Sequence, residues 1–279
     1  MFVEVDGARI WYETVELQVD HDTDADRSST VVLLHGGPGS FDHSYLRPHF
    51  DQLSRVARVV YLDLRDHGRS DWGDPSEWSL EVAADDVRQL CDAIGIDAPI
   101  VLGHSLGGPI AVMYAARHSG HIGGLILQST FARFDLDRIV DAFRLLAGDL
   151  VASWVENEYV GDRTLTDDEW SQCWSWFGPN VPGPSTLARI PRNEAFNAYW
   201  GARLASIDVI DCLGEIVCPT LVSVGALDPI TPPTAAEEVI AGLRPGPARL
   251  DVLTASGHFP WLDEPAAYWS TIEHFVSTI

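Results

Sequence analysis

The feature that most constrains the fold is an alternation of two kinds of segment from residue 30 onward. Short apolar runs rich in β-branched residues predict buried strands, and they lie at 31–34, 57–64, 100–102, 124–127, 220–224 and 249–253. Between the runs, residues 80–94 and 105–118 carry apolar side chains every three or four positions, which is typical of helices that cover a sheet. Strand–helix alternation predicts an α/β fold with a mostly parallel central sheet and helices on both faces.

The alternation is interrupted once, between residues 131 and 212. This segment lacks convincing strand patterns and contains half of the ten tryptophans: Trp154, Trp170, Trp174, Trp176 and Trp200. We therefore predict a core domain formed by residues 1–130 and 213–279, and a helical cap (lid) formed by residues 131–212. A length of 279 residues fits one domain with an insertion. Upstream, residues 2–15 alternate around Asp6-Gly7, which predicts a β-hairpin.

The net charge excludes one class of partner, and the absence of lysine excludes one class of chemistry. With a formal net charge of −23, the chain lacks the basic face that nucleic acids require. The 18 basic residues are all arginines, so Schiff-base chemistry and pyridoxal phosphate are excluded, because both need a lysine. We expect no cofactor, and a small molecule or a short peptide as the substrate.

Cysteine usage and hydropathy indicate the compartment. The four cysteines are scattered without a CxxC pair, which argues against a zinc site or a disulfide framework and for reduced thiols. The chain has no run of eighteen apolar residues, so we expect no membrane association. Its first residues, MFVEVDGARI, do not show a basic region followed by a long apolar one, so we expect a cytoplasmic protein.

An acidic stretch at residues 20–26 has alternating aspartates, as a calcium-binding loop does. Such a loop starting at Asp22 needs glycine at its sixth position and glutamate at its twelfth, where this chain has Arg27 and Leu33. We therefore interpret the stretch as a solvated loop and predict no metal site.

The sequence GHSLGG at 103–108 follows an apolar strand and precedes a predicted helix. This is the GxSxG pattern in the context that it needs, because a sharp strand-to-helix turn requires small residues on both sides of the serine. The turn lifts the Ser105 hydroxyl clear of the sheet and directs the helix N-terminus at the reacting centre. We predict Ser105 as a nucleophile.

A nucleophilic serine needs a base, and the base needs a carboxylate that orients it. In hydrolases with this pattern the acid comes next along the chain and the histidine last. Asp228 follows the strand at 220–224, and His258 follows the strand at 249–253, so both lie where open α/β sheets place their sites. We predict a triad of Ser105, His258 and Asp228, with Asp135 as the less favoured acid.

The loop HGGPG at 35–39 matches neither a Walker loop, which ends in Gly-Lys-Ser/Thr, nor the dinucleotide pattern GxGxxG. Serine attack on a carbonyl develops negative charge on oxygen, and backbone N–H groups stabilise that charge. We predict two such donors, Leu106 directly after the nucleophile and Gly37 in this loop, because Pro38 has no N–H. We interpret His35 as a structural hydrogen-bonding residue.

Together these motifs resemble the α/β-hydrolase superfamily and, within it, the proline iminopeptidase (prolyl aminopeptidase) family of serine peptidases. HGGPG at 35–39 resembles that family's signature loop. The segment DLRDHGRS at 63–70 resembles its D-x-R-G-x-G-x-S segment, with Asp66 in place of the usual glycine. GALDPITP at 225–232 resembles its acid loop, and Gly257-His258 resembles its terminal histidine.

The chain departs from the peptidase pattern in two places. An aromatic residue follows the nucleophile in the peptidases, whereas this chain has Leu106, and GHSLGG is closer to generic esterases and carbon–carbon bond hydrolases. The peptidases also hold the substrate's amino group with cap glutamates, and the nearest acid to the similar segment Ala188-Arg189-Ile190 is Glu194. The resemblance thus implies Glu194 as a substrate-binding residue, and we also predict Trp176 and Phe259 as substrate contacts.

Three functions are compatible with these patterns. The leading hypothesis is a serine hydrolase that works through an acyl-enzyme, with a proline iminopeptidase-like aminopeptidase as the first substrate hypothesis. The alternative is a small-molecule carboxylesterase, lactonase or carbon–carbon bond hydrolase of the same fold. A more distant alternative is a non-catalytic receptor that binds a ligand under the cap. The sequence leaves the oligomeric state open.

Overall fold

The computed structural model describes residues 1–18, 29–161, 163–246 and 248–279, and its centre is one eight-stranded sheet in the order β1-β2-β4-β3-β5-β6-β7-β8. The strands are β1 Phe2–Val5, β2 Ala8–Val15, β3 Thr30–Leu34, β4 Arg58–Leu62, β5 Ile100–His104, β6 Gly124–Gln128, β7 Thr220–Gly225 and β8 Ala248–Leu253. Each predicted apolar run overlaps one of the strands β3 to β8, and the predicted α/β class is confirmed.

Strands β3 to β8 pair in parallel, whereas the first two strands do not. β1 and β2 form an antiparallel hairpin in which Val5 pairs with Ala8, so Asp6 and Gly7 make a two-residue turn in which Gly7 has a left-handed φ of +75°. β2 then adds to the edge of the sheet antiparallel to β4.

The chain reverses its direction of travel across the sheet at β3. After β3 it continues to β4 on one side, and it then returns to β5 on the other side. In open α/β sheets a ligand site forms in the crevice beyond the carboxyl ends of the two strands at such a switch point. The loop at 35–39 follows β3 and Ser105 follows β5, so the topology brings them together.

Helices cover both faces of the sheet. They are α1 Leu80–Ala93, α2 Gly107–Arg117, α3 Leu136–Ala147, α4 Asp149–Val160, α5 Asp167–Ser175, α6 Pro184–Leu187, α7 Glu194–Gly201, α8 Ile210–Leu213, α9 Pro233–Gly242, α10 Pro260–Asp263 and α11 Pro265–Ser277. The predicted helices at 80–94 and 105–118 correspond to α1 and α2. α1 begins where the Ser79 hydroxyl accepts a hydrogen bond from the Val82 amide.

Two hydrophobic cores lie on opposite faces of the sheet, and β3 contributes to both. Val32 and Leu34 belong to the core beside α1 and α2, whereas Val31 and Leu33 belong to the core beside α3, α4 and α11. All four side chains are fully buried. A strand buried on both faces reads as a continuous apolar run, which is why the sequence pattern identified it.

The segment between β6 and β7 contains α3 to α8, and its two ends lie side by side. Arg133 and Asp208 form an antiparallel bridge, and the Val209 amide donates to the Ala132 carbonyl at 2.8 Å. This arrangement is what an insertion requires, and the division into core and cap at 131 and 212 stays a prediction. The acidic stretch with Asp20, Asp22, Asp24 and Asp26 lies outside the described residues. Within the described ranges, no helix has the length and apolarity needed to cross a bilayer.

Candidate active site

Ser105 occupies a strained turn between β5 and α2. Its φ is +54°, a left-handed value that costs a non-glycine residue free energy and is common at functional sites. A Cβ atom on Gly103 would collide with the carbonyl of Gly107, and one on Gly107 would collide with the carbonyl of Leu34. The Ser105 amide donates to the carbonyl of Ser129 at 3.1 Å. Packing and hydrogen bonds therefore hold the strained conformation.

Asp228 and His258 meet beyond the ends of β7 and β8. The Asp228 carboxylate accepts from the amides of Ile230 and Thr231 and, at 2.6 Å, from the Thr231 hydroxyl. His258 Nδ1 lies 2.8 Å from Asp228 Oδ2, and both side chains are buried. Because a carboxylate only accepts, Nδ1 carries a proton, which leaves Nε2 as the nitrogen that can accept one.

The alternative acid, Asp135, is used elsewhere. Its carboxylate caps α3 by accepting from the amide of Arg138 at 3.1 Å. Among the described residues it forms no hydrogen bond with His258, so the geometry favours Asp228.

Two backbone amides near Ser105 are left without acceptors. In the loop after β3, the Gly36 amide donates to the Tyr45 hydroxyl at 2.7 Å and the Gly39 amide donates to His67 Nε2 at 2.8 Å. Pro38 has no N–H. Within the described parts of the chain, neither the Gly37 amide nor the Leu106 amide has a hydrogen-bond acceptor. Unpaired donors at this position are what an oxyanion site requires.

A chain of hydrogen bonds connects this loop with the turn at Ser105 and with His258. The His104 Nε2–H donates to the His258 carbonyl at 3.1 Å, because a carbonyl only accepts. His104 Nδ1 then accepts from the Tyr45 hydroxyl at 2.7 Å, and that hydroxyl accepts from the Gly36 amide. Each hydrogen bond in this series therefore has one defined donor and one defined acceptor. Burial keeps the pKa of His104 well below its ordinary value, so the ring is neutral.

Two further neutral histidines support the loop. His35 Nδ1–H donates to the Gly36 carbonyl at 2.5 Å, and His35 Nε2 accepts from the Leu64 amide. His67 Nδ1–H donates to the carbonyl of Arg65 at 2.8 Å, so that Nε2 is free to accept from Gly39. Burial lowers the pKa of His35 to about 4 and that of His67 to about 3. With both ring nitrogens of His35 engaged, a structural role fits it better than catalysis.

Ser105 and His258 line one cavity of about 750 Å³, between the ends of the strands and the helices of residues 131–212. Its walls are largely aromatic and aliphatic: Phe41, Tyr45, Tyr159, Trp170, Trp174, Phe177, Leu187, Ile190, Ile230 and Phe259. The polar side chains of Asp167, Arg192 and Asn197 also line it. The cavity therefore suits a substrate with a sizeable apolar part.

Comparison with known proteins identifies the family. A family model described as alpha/beta hydrolase fold matches residues 29–265. The chain belongs to the α/β-hydrolase fold family. It is 26% identical to a proline iminopeptidase of Heyndrickxia coagulans, over 100% of this chain and 98% of that protein. It is 28% identical to a 2-hydroxy-6-oxo-6-phenylhexa-2,4-dienoate hydrolase of Comamonas testosteroni, over 91% of this chain and 87% of the other.

Solved structures show the same fold for this hydrolase. A proline iminopeptidase of Mycobacterium smegmatis superposes with a TM-score of 0.80 at 21% identity, over 100% of this chain and 97% of the other. An enol-lactonase of Burkholderia xenovorans superposes with a TM-score of 0.70 at 23% identity, over 99% and 100%. At this level of identity the likeness establishes the fold of the hydrolase, and its substrate has to be inferred from the site.

Two of the substrate contacts predicted for this hydrolase do not reach the cavity. Trp176 follows the end of α5 and is 41% exposed, whereas Trp170 and Trp174, four positions apart on α5, line the cavity. Glu194 is the exposed first residue of α7 and is not among the lining residues. It forms no salt bridge among the described residues, and burying an unpaired carboxylate is costly. Phe259 is buried and does line the cavity.

Sequence motifs of the hydrolase did not identify the residues that hold the loop after β3. Tyr45 and His67 lie outside HGGPG and reach it only through the fold, and Asn193 and Asn197 reach it from α7. His67 lies in the segment at 63–70 but at a position that its pattern leaves free, and the other three residues belong to no pattern that can be seen along the chain. The spacing of Trp170 and Trp174 was a usable signal, because side chains four positions apart lie on one helix face.

A buried cluster of potential metal ligands, Asp42, His43 and Asp63, brings its ligand atoms within 4.8 Å of one another. These atoms are already used in hydrogen bonds. His43 Nδ1 and its amide both donate to Asp63 Oδ1, the Arg69 amide donates to Asp63 Oδ2, and Asp42 accepts from the Ser44 amide. The cluster therefore fits a structural connection between two loops better than a metal site.

Proposed function

We propose that this chain is a serine hydrolase that works through an acyl-enzyme. The Ser105 hydroxyl attacks the substrate carbonyl, and His258 Nε2 takes the hydroxyl proton. The amides of Gly37 and Leu106 stabilise the oxyanion. Collapse of the tetrahedral intermediate breaks the bond to the leaving group, which receives the proton from His258. Water, deprotonated by His258, then hydrolyses the acyl-enzyme, and Asp228 keeps the imidazole oriented throughout.

The observation that carries this proposal is the hydrogen bond between His258 Nδ1 and Asp228 Oδ2. It sets the tautomer in which Nε2 is basic, in a residue that lines the same cavity as Ser105. Three hydrogen bonds from Ile230 and Thr231 keep the Asp228 carboxylate from turning away. A non-catalytic receptor has no need for such an arrangement in the same cavity as a strained serine.

Labelling with a fluorophosphonate tests the mechanism directly, because the reagent modifies activated serines. Peptide mapping should place the adduct on Ser105, and Ser105→Ala should abolish labelling and lower turnover by several orders of magnitude. The control is Ser175→Ala, which removes an exposed serine outside the cavity. An adduct on another residue, or more than about a tenth of the activity left in Ser105→Ala, would refute the nucleophile assignment.

For the substrate, we propose first an amide or peptide with a free N-terminal proline. The HGGPG loop and relatives named proline iminopeptidase support this choice. Such a substrate carries an ammonium group, and recognition of that group needs a carboxylate. Because Glu194 lies outside the cavity, we assign this contact to Asp167, the one carboxylate among the described residues that line it.

Paired variants test the amine-recognition hypothesis. A hydrogen bond between charged groups is worth about 1.5–3 kcal/mol, so Asp167→Asn should lower kcat/KM for proline naphthylamide by about ten- to a hundredfold. Hydrolysis of a neutral p-nitrophenyl ester should stay the same. Asp168→Asn is the matched control, because Asp168 is exposed as Asp167 is but does not line the cavity.

The second candidate is an esterase or carbon–carbon bond hydrolase. It is favoured by the apolar walls of the cavity and by the relative from Comamonas testosteroni, which is named as a hydrolase of a phenyl-substituted dienoate. One panel decides between the two: proline, alanine and glycine naphthylamides against p-nitrophenyl esters and lactones. Cleavage of esters without cleavage of any aminoacyl amide would replace the peptidase hypothesis with this one.

A further inference from the structure

The loop that carries Gly37 is held from two directions. On the side of the sheet, His35 Nδ1–H holds the Gly36 carbonyl, so the peptide unit that joins Gly36 to Gly37 is fixed at its oxygen. The next hydrogen-bonded unit joins Pro38 to Gly39, and its N–H donates to His67. The Gly37 N–H belongs to the first of these units, and the second unit, beyond the Gly37–Pro38 bond, holds the chain on the other side of Gly37.

Helix α7 holds the second unit from the opposite side. Asn197 Nδ2 donates to the Pro38 carbonyl at 3.0 Å and to the Ser40 hydroxyl at 2.7 Å. His67 and Asn197 thus hold the two ends of one peptide unit, the first from the core and the second from α7. In a loop with three glycines, such contacts have to offset a large backbone entropy.

The start of α7 makes a second attachment to the same loop. The Asn193 amide donates to the Gly39 carbonyl at 2.9 Å, and Asn193 Nδ2 donates to the Asp66 carbonyl at 3.2 Å. Asn193 is 5% exposed, and its Oδ1 caps α7 by accepting from the Phe196 amide. The loop approaches so closely here that a Cβ on Gly39 would lie 2.7 Å from the Asn193 carbonyl oxygen.

Aromatic packing fixes α7 on the core beside these hydrogen bonds. Phe196 and Trp200 of α7 are buried in one cluster with Trp78 and Leu106. Leu106 supplies the other predicted oxyanion donor. The Phe196 ring also packs edge-on against the ring of His67, with centroids 4.9 Å apart. α7 thus contacts both parts of the oxyanion site.

We propose that Asn193 and Asn197 are positioning residues of the oxyanion hole. The unit that carries the Gly37 N–H is held directly only at its oxygen, by His35, so docking of α7, which holds the chain beyond Gly37, limits rotation of the Gly37 amide away from the hole. The helix belongs to the segment whose other helices line the cavity, which couples the substrate-facing wall to the catalytic loop. This inference rests on the proposed acyl-enzyme mechanism.

Isosteric and truncating variants of Asn197 test the inference. Asn197→Asp keeps the shape but loses the N–H donor, and Asn197→Ala loses both. Removal of an oxyanion donor costs about 10²–10³ in rate, so loosening one should lower kcat for p-nitrophenyl acetate by about tenfold in both variants. KM should stay within about twofold, and the pH midpoint of kcat should not move, because the His258–Asp228 pair is untouched. Asn157→Ala, on α4 outside the cavity, is the control and should retain wild-type kcat.

The rate of fluorophosphonate labelling separates the possible failures. Wild-type protein with no adduct on Ser105 would refute the proposed function itself. A wild-type protein that is labelled, with equal labelling rates and kcat in Asn197→Asp, would refute only the positioning role. A rise in KM without a change in kcat would also refute it, because that result describes a substrate contact. Slower labelling in both Asn197 variants, with Asn157→Ala unaffected, would support it.

Discussion

Replacement of Tyr45 by phenylalanine tests the hydrogen-bond chain beneath the active site. The Tyr45 hydroxyl accepts from the Gly36 amide and donates to His104 Nδ1, both at 2.7 Å, and the side chain is 2% exposed. Phenylalanine keeps the ring and its packing but removes both hydrogen bonds. The Gly36 N–H and His104 Nδ1 are then left unpaired in a buried site. Tyr45→Phe should therefore cost stability and activity together.

The size of the effect follows from those two orphaned groups. A buried polar atom that loses its partner costs about 1–3 kcal/mol, and partial relaxation brings the sum to about 2–4 kcal/mol. For a chain of this size, 1 kcal/mol lowers Tm by about 2–4 °C, so Tm should fall by about 5–15 °C. Because Gly36 precedes the predicted donor Gly37, kcat should fall by at least about tenfold, a part of the loss seen when an oxyanion donor is removed.

Another buried tyrosine of this protein, Tyr268, offers a matched control. Tyr268 is fully buried, and within the described residues its hydroxyl has no hydrogen-bond partner. Tyr268→Phe removes an unpaired buried polar atom, so it should leave Tm unchanged or raise it, with normal kcat. Thermal unfolding and ester hydrolysis measured on both variants decide the question. Equal Tm and kcat in Tyr45→Phe and Tyr268→Phe would show that the hydrogen bonds of Tyr45 contribute neither to stability nor to the rate.

Three further predictions concern the predicted catalytic groups and the buried histidines. Asp228→Asn should lower kcat by about 10⁴-fold with little change in KM, because His258 loses its tautomer, and a loss below tenfold would contradict the triad. Gly37→Val should cost about 10²–10³ in kcat, and an unaltered rate in folded protein would move the donor elsewhere. The pKa values of His35 and His67, lowered to about 4 and about 3, make the unfolded state bind more protons below pH 6.5. The free energy of unfolding, measured by urea titration, should decrease by about 2 kcal/mol per histidine between pH 7 and pH 5. In His67→Gln this decrease should be smaller.

The sheet and the turn at Ser105 were predictable because their signals are local. A strand such as β3 is buried on both faces and so consists of consecutive apolar residues, and this pattern depends little on the rest of the fold. The turn at Ser105 is similar, since Gly103 and Gly107 are required by contacts within the motif and with the adjacent strand. The prediction of β5, the turn and α2 therefore needed only neighbouring residues.

The residues that line the cavity were harder to predict because their positions depend on where a helix ends and which side faces the cavity. Trp174 and Trp176 differ by two positions, which on a helix is more than half a turn, and α5 ends at Ser175 between them. The first lines the cavity and the second is exposed. Glu194 was inferred from a segment similar to the peptidases, but in this chain α7 brings Asn197 to the cavity instead.

Residues that hold the loop after β3 are hard to recognise in the sequence, because any side chain with a suitable donor can do so from a distant part of the chain. Asn197 reaches the Pro38 carbonyl across 159 positions, and Tyr45 reaches His104 across 59. A glycine-rich loop gives the backbone freedom to approach an oxyanion, and the same freedom means that the loop cannot hold itself. Its rigidity has to come from tertiary contacts on both sides, here His67 from the core and Asn197 from α7. Substitutions in α7 should therefore change the reaction rate, although no residue of α7 takes part in the bonds that form and break.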